Sequence, residues 1–313
     1  MHPHPATGEG SGTAGALTGN RLDAAFSRAR QEGRAALLVY ITAGHPDLET
    51  TRRLVPALFA AGADVLELGM PFSDPLADGP TIQRSTQQAL RQGVRLRDVL
   101  SLARELRDGG LDRPLVLLTY ANPLLVNGLL DDPSPLARAG FDGVIVPDLP
   151  SVESEEVAAA FAAVGIHLIP FVAPTSPDEH VRRVASGRGG FVYCVSVTGV
   201  TGARHRLPGG VVDLLRRVRA AGPRPVAIGF GVSGPEQARE LAAHADGIIV
   251  GSALVERIDR AAGDPQGAGA GAGPGGDDRA SAVVAAAAEF VASLRQAIDP
   301  GGRQPAQLLR PSP

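Results

Sequence analysis

The chain has no tryptophan and a single cysteine, and aromatic residues make up 4% of its 313 positions. With one thiol, Cys194, no internal disulfide can form, which fits a reducing compartment. Basic and acidic residues nearly balance, at a formal net charge of −3. No basic face and no run of basic residues interleaved with stacking aromatics is present, which argues against nucleic acid as a partner. No apolar run approaches the roughly 20 residues that span a bilayer. The stretch from Met1 to Gly19 is Gly, Thr, Pro and His without the apolar centre of a signal peptide. A soluble cytoplasmic protein that engages neither nucleic acid nor membrane is therefore expected. The seven histidines include no two at metal-ligand spacing with a carboxylate, so no catalytic metal is expected.

What the chain does have is alternation. Short runs rich in Val, Ile and Leu occur at Ala36–Ile41, Asp64–Leu68, Leu115–Tyr120, Gly143–Val146, His167–Val172, Phe191–Val195, Val226–Ile228 and Gly247–Val250. Near-continuous apolarity is what strands buried on both faces of a parallel sheet show. Amphipathic helical patterns lie between and after them, at Leu48–Ala61, Leu96–Arg107, Leu136–Ala139, Val152–Val164, Pro177–Ser186, Val211–Ala220, Pro235–Ala243 and Ala253–Ala262. Strand then helix, eight times, predicts an α/β fold, a (β/α)8 TIM barrel. An extra N-terminal helix at Arg21–Arg30, capped by Asn20, and a C-terminal helix at Ser281–Ala297 would pack outside it. An open doubly wound sheet is the alternative, but its Gly-rich turn is missing after the first strand, where the chain reads Thr42-Ala43-Gly44-His45-Pro46-Asp47. No sequence repeat is obvious. Residues 1–18 and 300–313 read as flexible tails around one catalytic domain, 19–299, and the Gly-rich stretch 263–278 reads as a flexible insertion within it.

Two constellations carry chemistry. Glu67 lies near the C-terminal end of the second strand between Leu66 and Leu68. A carboxylate with apolar neighbours is costly to ionise and can keep a proton near neutral pH, as a general acid must. Its alternative is a carboxylate neutralised by a basic residue inside the barrel. The loop that follows carries Asp74 and Asp78 among Pro71, Pro75 and Pro80. Proline restricts such a loop, and either aspartate could act in the site or simply cap the helix beginning near Thr81. The second constellation is late: Gly229-Phe230-Gly231-Val232-Ser233-Gly234 after the seventh strand and Gly251-Ser252 after the eighth. Loops at those two positions of a barrel, with a helix N-terminus, frequently hold phosphate through backbone N–H groups, which implies a phosphorylated small-molecule substrate. Gly199-Val200-Thr201-Gly202-Ala203 is either a mobile cover or an ordinary loop. On the sixth strand only one of Tyr193 and Cys194 can face the interior. Cys194 has no His or basic residue near it in sequence and reads as a small buried hydrophobe.

The block from Leu66-Glu67-Leu68-Gly69 through Pro71-Phe72-Ser73-Asp74-Pro75-Leu76-Ala77-Asp78-Gly79-Pro80-Thr81-Ile82-Gln83 resembles the hallmark of the tryptophan synthase alpha chain family. So do Tyr120-Ala121-Asn122-Pro123, Val146-Pro147-Asp148-Leu149-Pro150, the stretch Tyr193 to Gly202, and Gly229 to Ser233. The resemblance implies Glu67 and Asp78 as catalytic pair, Tyr193 as an active-site residue, and Gly202, Gly231, Gly251 and Ser252 as phosphate-binding. It places Thr201 in a loop that closes against the one bearing Asp78. It also implies cleavage of indole-3-glycerol phosphate to indole and glyceraldehyde 3-phosphate, with no cofactor in this chain. Indole would pass to a pyridoxal-phosphate beta chain in an alpha2beta2 heterotetramer. The chain departs from the pattern at Tyr40, where Phe is frequent, and at Ala121 and Cys194, where many relatives carry larger aromatics; these changes could reshape the indole pocket. A stand-alone indole-3-glycerol phosphate lyase and a non-catalytic sensor of phosphorylated metabolites are the alternative readings.

Overall fold

The computed structural model describes residues 19–149, 154–195, 209–229, 231–263 and 276–299. The first half runs α1 (Arg21–Gln31), β1 (Ala36–Thr42), α2 (Leu48–Ala60), β2 (Val65–Gly69), α3 (Pro80–Arg91), α4 (Leu96–Asp108), β3 (Leu115–Leu118), α5 (Ala121–Val126), α6 (Ser134–Ala139) and β4 (Gly143–Ile145). The second half runs α7 (Ser154–Ala163), β5 (His167–Leu168), β6 (Phe171–Val172), α8 (Asp178–Ser186), β7 (Val192–Cys194), α9 (Gly209–Ala221), β8 (Val226–Ile228), α10 (Pro235–Ala242), β9 (Gly247–Val250), α11 (Ser252–Ala262) and α12 (Gly276–Ile298).

Every strand pairing is parallel, in the order β5-β4-β3-β2-β1-β9-β8-β7-β6. The two ends of that order, β5 and β6, are halves of one predicted strand separated by Ile169 and Pro170. The ladder runs on through the break, with Ile169 N–H donating to Val144 O at 2.9 Å and Tyr193 N–H to Pro170 O at 2.9 Å. The sheet therefore closes on itself as eight staves, and the open doubly wound alternative falls away. Proline, which has no N–H to give, accounts for the split.

Alternation along each strand sorts side chains into two cores. Leu37, Val39, Ile41, Leu66 and Leu68 face the surrounding helices. Leu38, Val65, Val116, Phe191, Ala227 and Ile249 fill the interior, where Leu22 and Phe26 of α1 close the N-terminal end. Asn20 caps α1 by accepting the Leu22 N–H at 2.8 Å.

At that N-terminal end one device recurs. Asp64, Asp142 and Asp246 each stand just before a strand and grip the neighbouring one. The Asp64 carboxylate accepts the Leu37 N–H at 2.8 Å while its own N–H donates to Leu37 O at 2.8 Å. Asp142 does the same with Leu115, and Asp246 with Val226. Arginines complete each clamp: Arg34 and Arg295 on Asp64, Arg21 and Arg107 on Asp142, Arg219 on Asp246. The repeat that sequence inspection did not find is this one.

Two helices were not predicted as barrel elements. α3 buries only Thr81, Ser85, Thr86 and Ala89, so it lacks an apolar stripe, and α5 is six residues long and contains Pro123. The last helix starts at Gly276, earlier than the Ser281 expected, and within Asp277–Ile298 a window of 18 residues reaches a mean hydropathy of 1.3, enough by length and composition alone to cross a membrane. Glu289 and Arg295 interrupt this alanine-rich helix, so it is not a continuous apolar run of roughly 20 residues. Its buried residues Val283, Ala287, Val291, Leu294 and Ile298 form one face, and it packs on α2, α10 and α11. The tails and most of the Gly-rich stretch lie outside the described residues.

Candidate active site

The inward series on β2 runs Val65, Glu67, Gly69, and on β1 it runs Ala36, Leu38, Tyr40, with Tyr40 and Glu67 directly paired across the two strands. Strand parity thus brings a carboxyl and a phenol to the same level, near the C-terminal mouth. Phe191 and Tyr193 rise on β7, with Tyr193 centred 5.0 Å from Phe171 and 6.1 Å from Phe191. Cys194, the next residue, belongs to the outer core against the helices. Strand parity turns Cys194 away from the interior, and burial pushes its thiol up to about 12, in keeping with the reading of a small buried hydrophobe. Ala121 sits at the start of α5 and packs toward the outer core.

Two glycines make room for the phenols. A β-carbon on Gly69 would lie 2.2 Å from the Tyr40 hydroxyl, and one on Gly229 would lie 2.2 Å from the Tyr193 hydroxyl. Each tyrosine oxygen therefore occupies the space that a side chain on the next stave would need.

Glu67 is 1% exposed and neither carboxyl oxygen has a hydrogen-bond partner among the described residues. Burial alone pushes it up to about 8. The alternative of a basic residue neutralising it inside the barrel is not what the structure shows. Asp78, on the loop after β2, is half-buried and is raised to about 6 by burial, with a hydrogen bond from Tyr120 acting the other way. At neutral pH this leaves Glu67 mainly protonated and Asp78 mainly ionised, because the deeper burial penalises charge more.

Asp78 does not cap α3, whose N-cap is Gly79 with no side-chain bond. Asp74 is exposed and takes a hydrogen bond from the Ser73 hydroxyl. Tyr120, quoted in a sequence motif but given no role from sequence, is the residue that ties the Asp78 loop down. Its hydroxyl accepts the Ala77 N–H at 3.0 Å and donates to Asp78, and its ring packs 5.3 Å from Phe72 at the start of the same loop. The signal available was position: Tyr120 closes the third stave on the face where barrel catalysts stand. Behind it, the Asp148 carboxylate accepts the Ala121 N–H at 2.8 Å and anchors α5.

Gly231 and Gly251 stand just past the ends of β8 and β9, on the same face as Glu67. Gly231 has φ +60°, a conformation that favours glycine. Gly251 is the N-cap of α11 with no side-chain bond to the helix amides, and Ser252 opens that helix. Gly251 also borders Tyr40, since a β-carbon there would lie 3.5 Å from the Tyr40 Cβ. Thr201 and Gly202 lie outside the described residues. The structure thus gathers Glu67, Asp78, Tyr40 and Tyr193 at one mouth, with the late glycines on its rim.

The family model described as tryptophan synthase alpha chain matches residues 26–270. The tryptophan synthase alpha chain of Chloroflexus aggregans is 49% identical over 243 residues, 78% of this chain and 91% of that protein. That of Roseiflexus castenholzii is 45% identical over 276 residues, 88% of this chain and 99% of that protein. Among solved structures, Mycobacterium tuberculosis tryptophan synthase superposes with a TM-score of 0.77 at 35% identity, covering 90% of this chain and 99% of that one. The Legionella pneumophila alpha chain gives 0.77 at 32%, covering 91% and 99%.

Proposed function

The chain belongs to the tryptophan synthase alpha chain family and takes the alpha role in tryptophan biosynthesis, and from that premise we propose that it is a carbon–carbon lyase cleaving indole-3-glycerol phosphate to indole and glyceraldehyde 3-phosphate. The observation that carries this reading is Glu67, a buried carboxyl with no cation beside it among the described residues, raised to about 8 at the mouth of the barrel.

The reaction is a retro-aldol cleavage. Glu67 in its acid form gives its proton to indole C3, which places positive charge on the ring N–H. Ionised Asp78 stabilises that charge. The Glu67 carboxylate then takes the proton of the hydroxyl next to the breaking C–C bond, the electron pair of that bond returns to the ring, and an aldehyde leaves. Proton count closes on Glu67. The chain contains no lysine, all 30 of its Lys+Arg residues being arginine, so no lysine Schiff base assists. The indole ring serves as electron sink and the chain needs no cofactor for this step.

In this reading Tyr40 and Tyr193 flank the indole, and Gly202, Gly231, Gly251 and Ser252 hold the phosphate through backbone amides, helped by the uncapped start of α11. Thr201 closes over the substrate. The family implies a beta chain as partner; an alpha2beta2 assembly with pyridoxal phosphate in the beta chain, in the cytoplasm, is the finer form. Exposed Leu76 on the Asp78 loop and exposed Leu125 and Val126 on α5 support a partner at this face. The test is to supply purified chain with indole-3-glycerol phosphate, alone and with beta chain. Formation of indole and glyceraldehyde 3-phosphate, accelerated by beta chain, is the expected result; no cleavage under either condition would overturn the reading, and cleavage without acceleration would favour the stand-alone lyase.

A further inference from the structure

The buried face of α3 is polar, and its hydrogen bonds run to other elements. Ser85 Oγ is 2.7 Å from Thr42 Oγ1 at the end of β1, and Thr81 Oγ1 donates to Glu256 of α11 at 3.2 Å. Directional bonds of this kind fix where a helix stands more narrowly than apolar contact does. The same helix begins without an ordinary cap. Its N-cap is Gly79, which has no side chain, and Pro80 follows with no N–H. The first amides of a helix lack intrahelical partners and attract a nearby carboxylate. The nearest one in sequence is Asp78.

Asp78 is held away from that use through its backbone. Gln83 Nε2, from the second turn of α3, donates to the Asp78 carbonyl at 2.9 Å, and the Asp78 N–H donates to the Pro75 carbonyl at 3.1 Å. Both polar groups of the Asp78 main chain are thus bonded, and its carboxyl meets the Tyr120 hydroxyl. Gln83 closes a sequence motif but has no role assigned from sequence. Resting on the reading of Asp78 as the charge that faces the indole ring, we infer that Gln83 is a positioning residue for Asp78: by holding the Asp78 peptide from the helix side, it keeps the carboxyl directed to Tyr120 and the mouth instead of to the open amides of α3. The polar bonds of α3 to β1 and α11 keep Gln83 itself in place.

The test reads Asp78 by carbon NMR titration of its side-chain carboxyl in the full chain. Among the described residues, the titratable groups that act on Asp78 or feel its charge are Tyr120 after β3, Tyr40 on β1 and Tyr193 on β7. All three are pushed above the ordinary tyrosine range, so none changes charge where Asp78 titrates. Tyr120→Phe removes a bond that favours the ionised form, so the Asp78 midpoint should rise, by about half to one pH unit. In a Gln83→Met background, which keeps the length but gives no N–H, the same change should move it less than about half as far. Gln83→Glu, of the same shape and acceptor-only when ionised, should uncouple the two likewise. Gln83→Met alone should lower kcat about tenfold with little change in KM. A purely structural role would lower the melting temperature and leave the Tyr120 effect whole. A shift of equal size with and without Gln83 overturns the inference. Because the titration does not depend on turnover, it stays decisive even if Asp78→Asn were to retain cleavage, which would defeat the role proposed for Asp78 instead.

Discussion

The two ends of the barrel treat carboxylates in opposite ways. At the N-terminal end Asp64, Asp142 and Asp246 each hold two backbone links to a neighbouring strand and at least one arginine, as with Asp64 bonded by Arg34 at 2.6 and 2.8 Å and by Arg295 at 2.9 Å. At the C-terminal end, among the described residues, Glu67 has no hydrogen-bond partner and Asp78 takes a bond from a tyrosine hydroxyl. Charge that is fully compensated can fix strand register but cannot move a proton at neutral pH. Charge left uncompensated in a dry site costs stability and keeps its proton exchangeable. The same side-chain chemistry is structural below and reactive above, and the difference lies in which end received the cations.

If that contrast holds, the largest effect follows from Glu67→Gln. Cleavage should fall by about three to four orders of magnitude, the scale of a lost general acid and base, while the melting temperature stays the same or rises because no buried charge remains. Steady-state turnover and thermal unfolding check both. The converse substitution at the other end, Asp64→Asn, should spare turnover per folded molecule but cost about 3–5 kcal/mol, since Arg34 and Arg295 would keep buried charge without a counterion; urea unfolding measures it. Swapped outcomes, with stability lost at Glu67 and activity at Asp64, would erase the distinction.

Smaller effects sharpen it. Tyr120→Phe removes the hydrogen bond to Asp78 and should lower kcat about 10- to 100-fold with less change in KM. Wild-type cleavage should be bell-shaped, with limbs near pH 6 from Asp78 and near pH 8 from Glu67, and in Tyr120→Phe the acid limb should move up, because the lost bond favoured the ionised form. A further effect is on stability. Glu67 is raised from 4.5 to about 8, so between those values the folded chain holds a proton that the unfolded chain has released. Stability from this group is therefore retained below pH 4.5 and lost as pH rises toward 8, by about 1.4 kcal/mol per unit. Glu67→Gln should flatten that part of the stability curve; an unchanged slope would mean that Glu67 is not buried in its neutral form.

The strands were legible because a buried parallel stave reads as an apolar run, and Glu67 was legible because it interrupts one. The role proposed for Asp78 rests on the resemblance, since an aspartate in a proline-rich loop has several uses. What sequence did not carry is relation across distance. Tyr40 and Gly69 fit together only because two staves pair in one register, and Asp64 meets Leu37 only after the sheet forms. The start of α3 was expected near Thr81, but its extent was not, because its buried face is Thr81, Ser85, Thr86 and Ala89, polar enough to hide the helical period. That only one of Tyr193 and Cys194 faces inward was legible from alternation, and which one it is became visible in the fold: Tyr193 takes the inward place and Cys194 the outer core.

The broken stave gives the wall of the barrel an uneven lacing. β5 and β6 are each stitched to their outer neighbour by two residue pairs, against five between β1 and β2, and Pro170 between them offers no amide. Thermal breathing concentrates where the stitches are fewest. Tyr193 rides on β7, beside that loose seam, whereas Tyr40 and Glu67 sit on the tightest pair of staves. The mouth is thus more loosely laced on the Tyr193 side than on the side of Tyr40 and Glu67, where five residue pairs join the two staves.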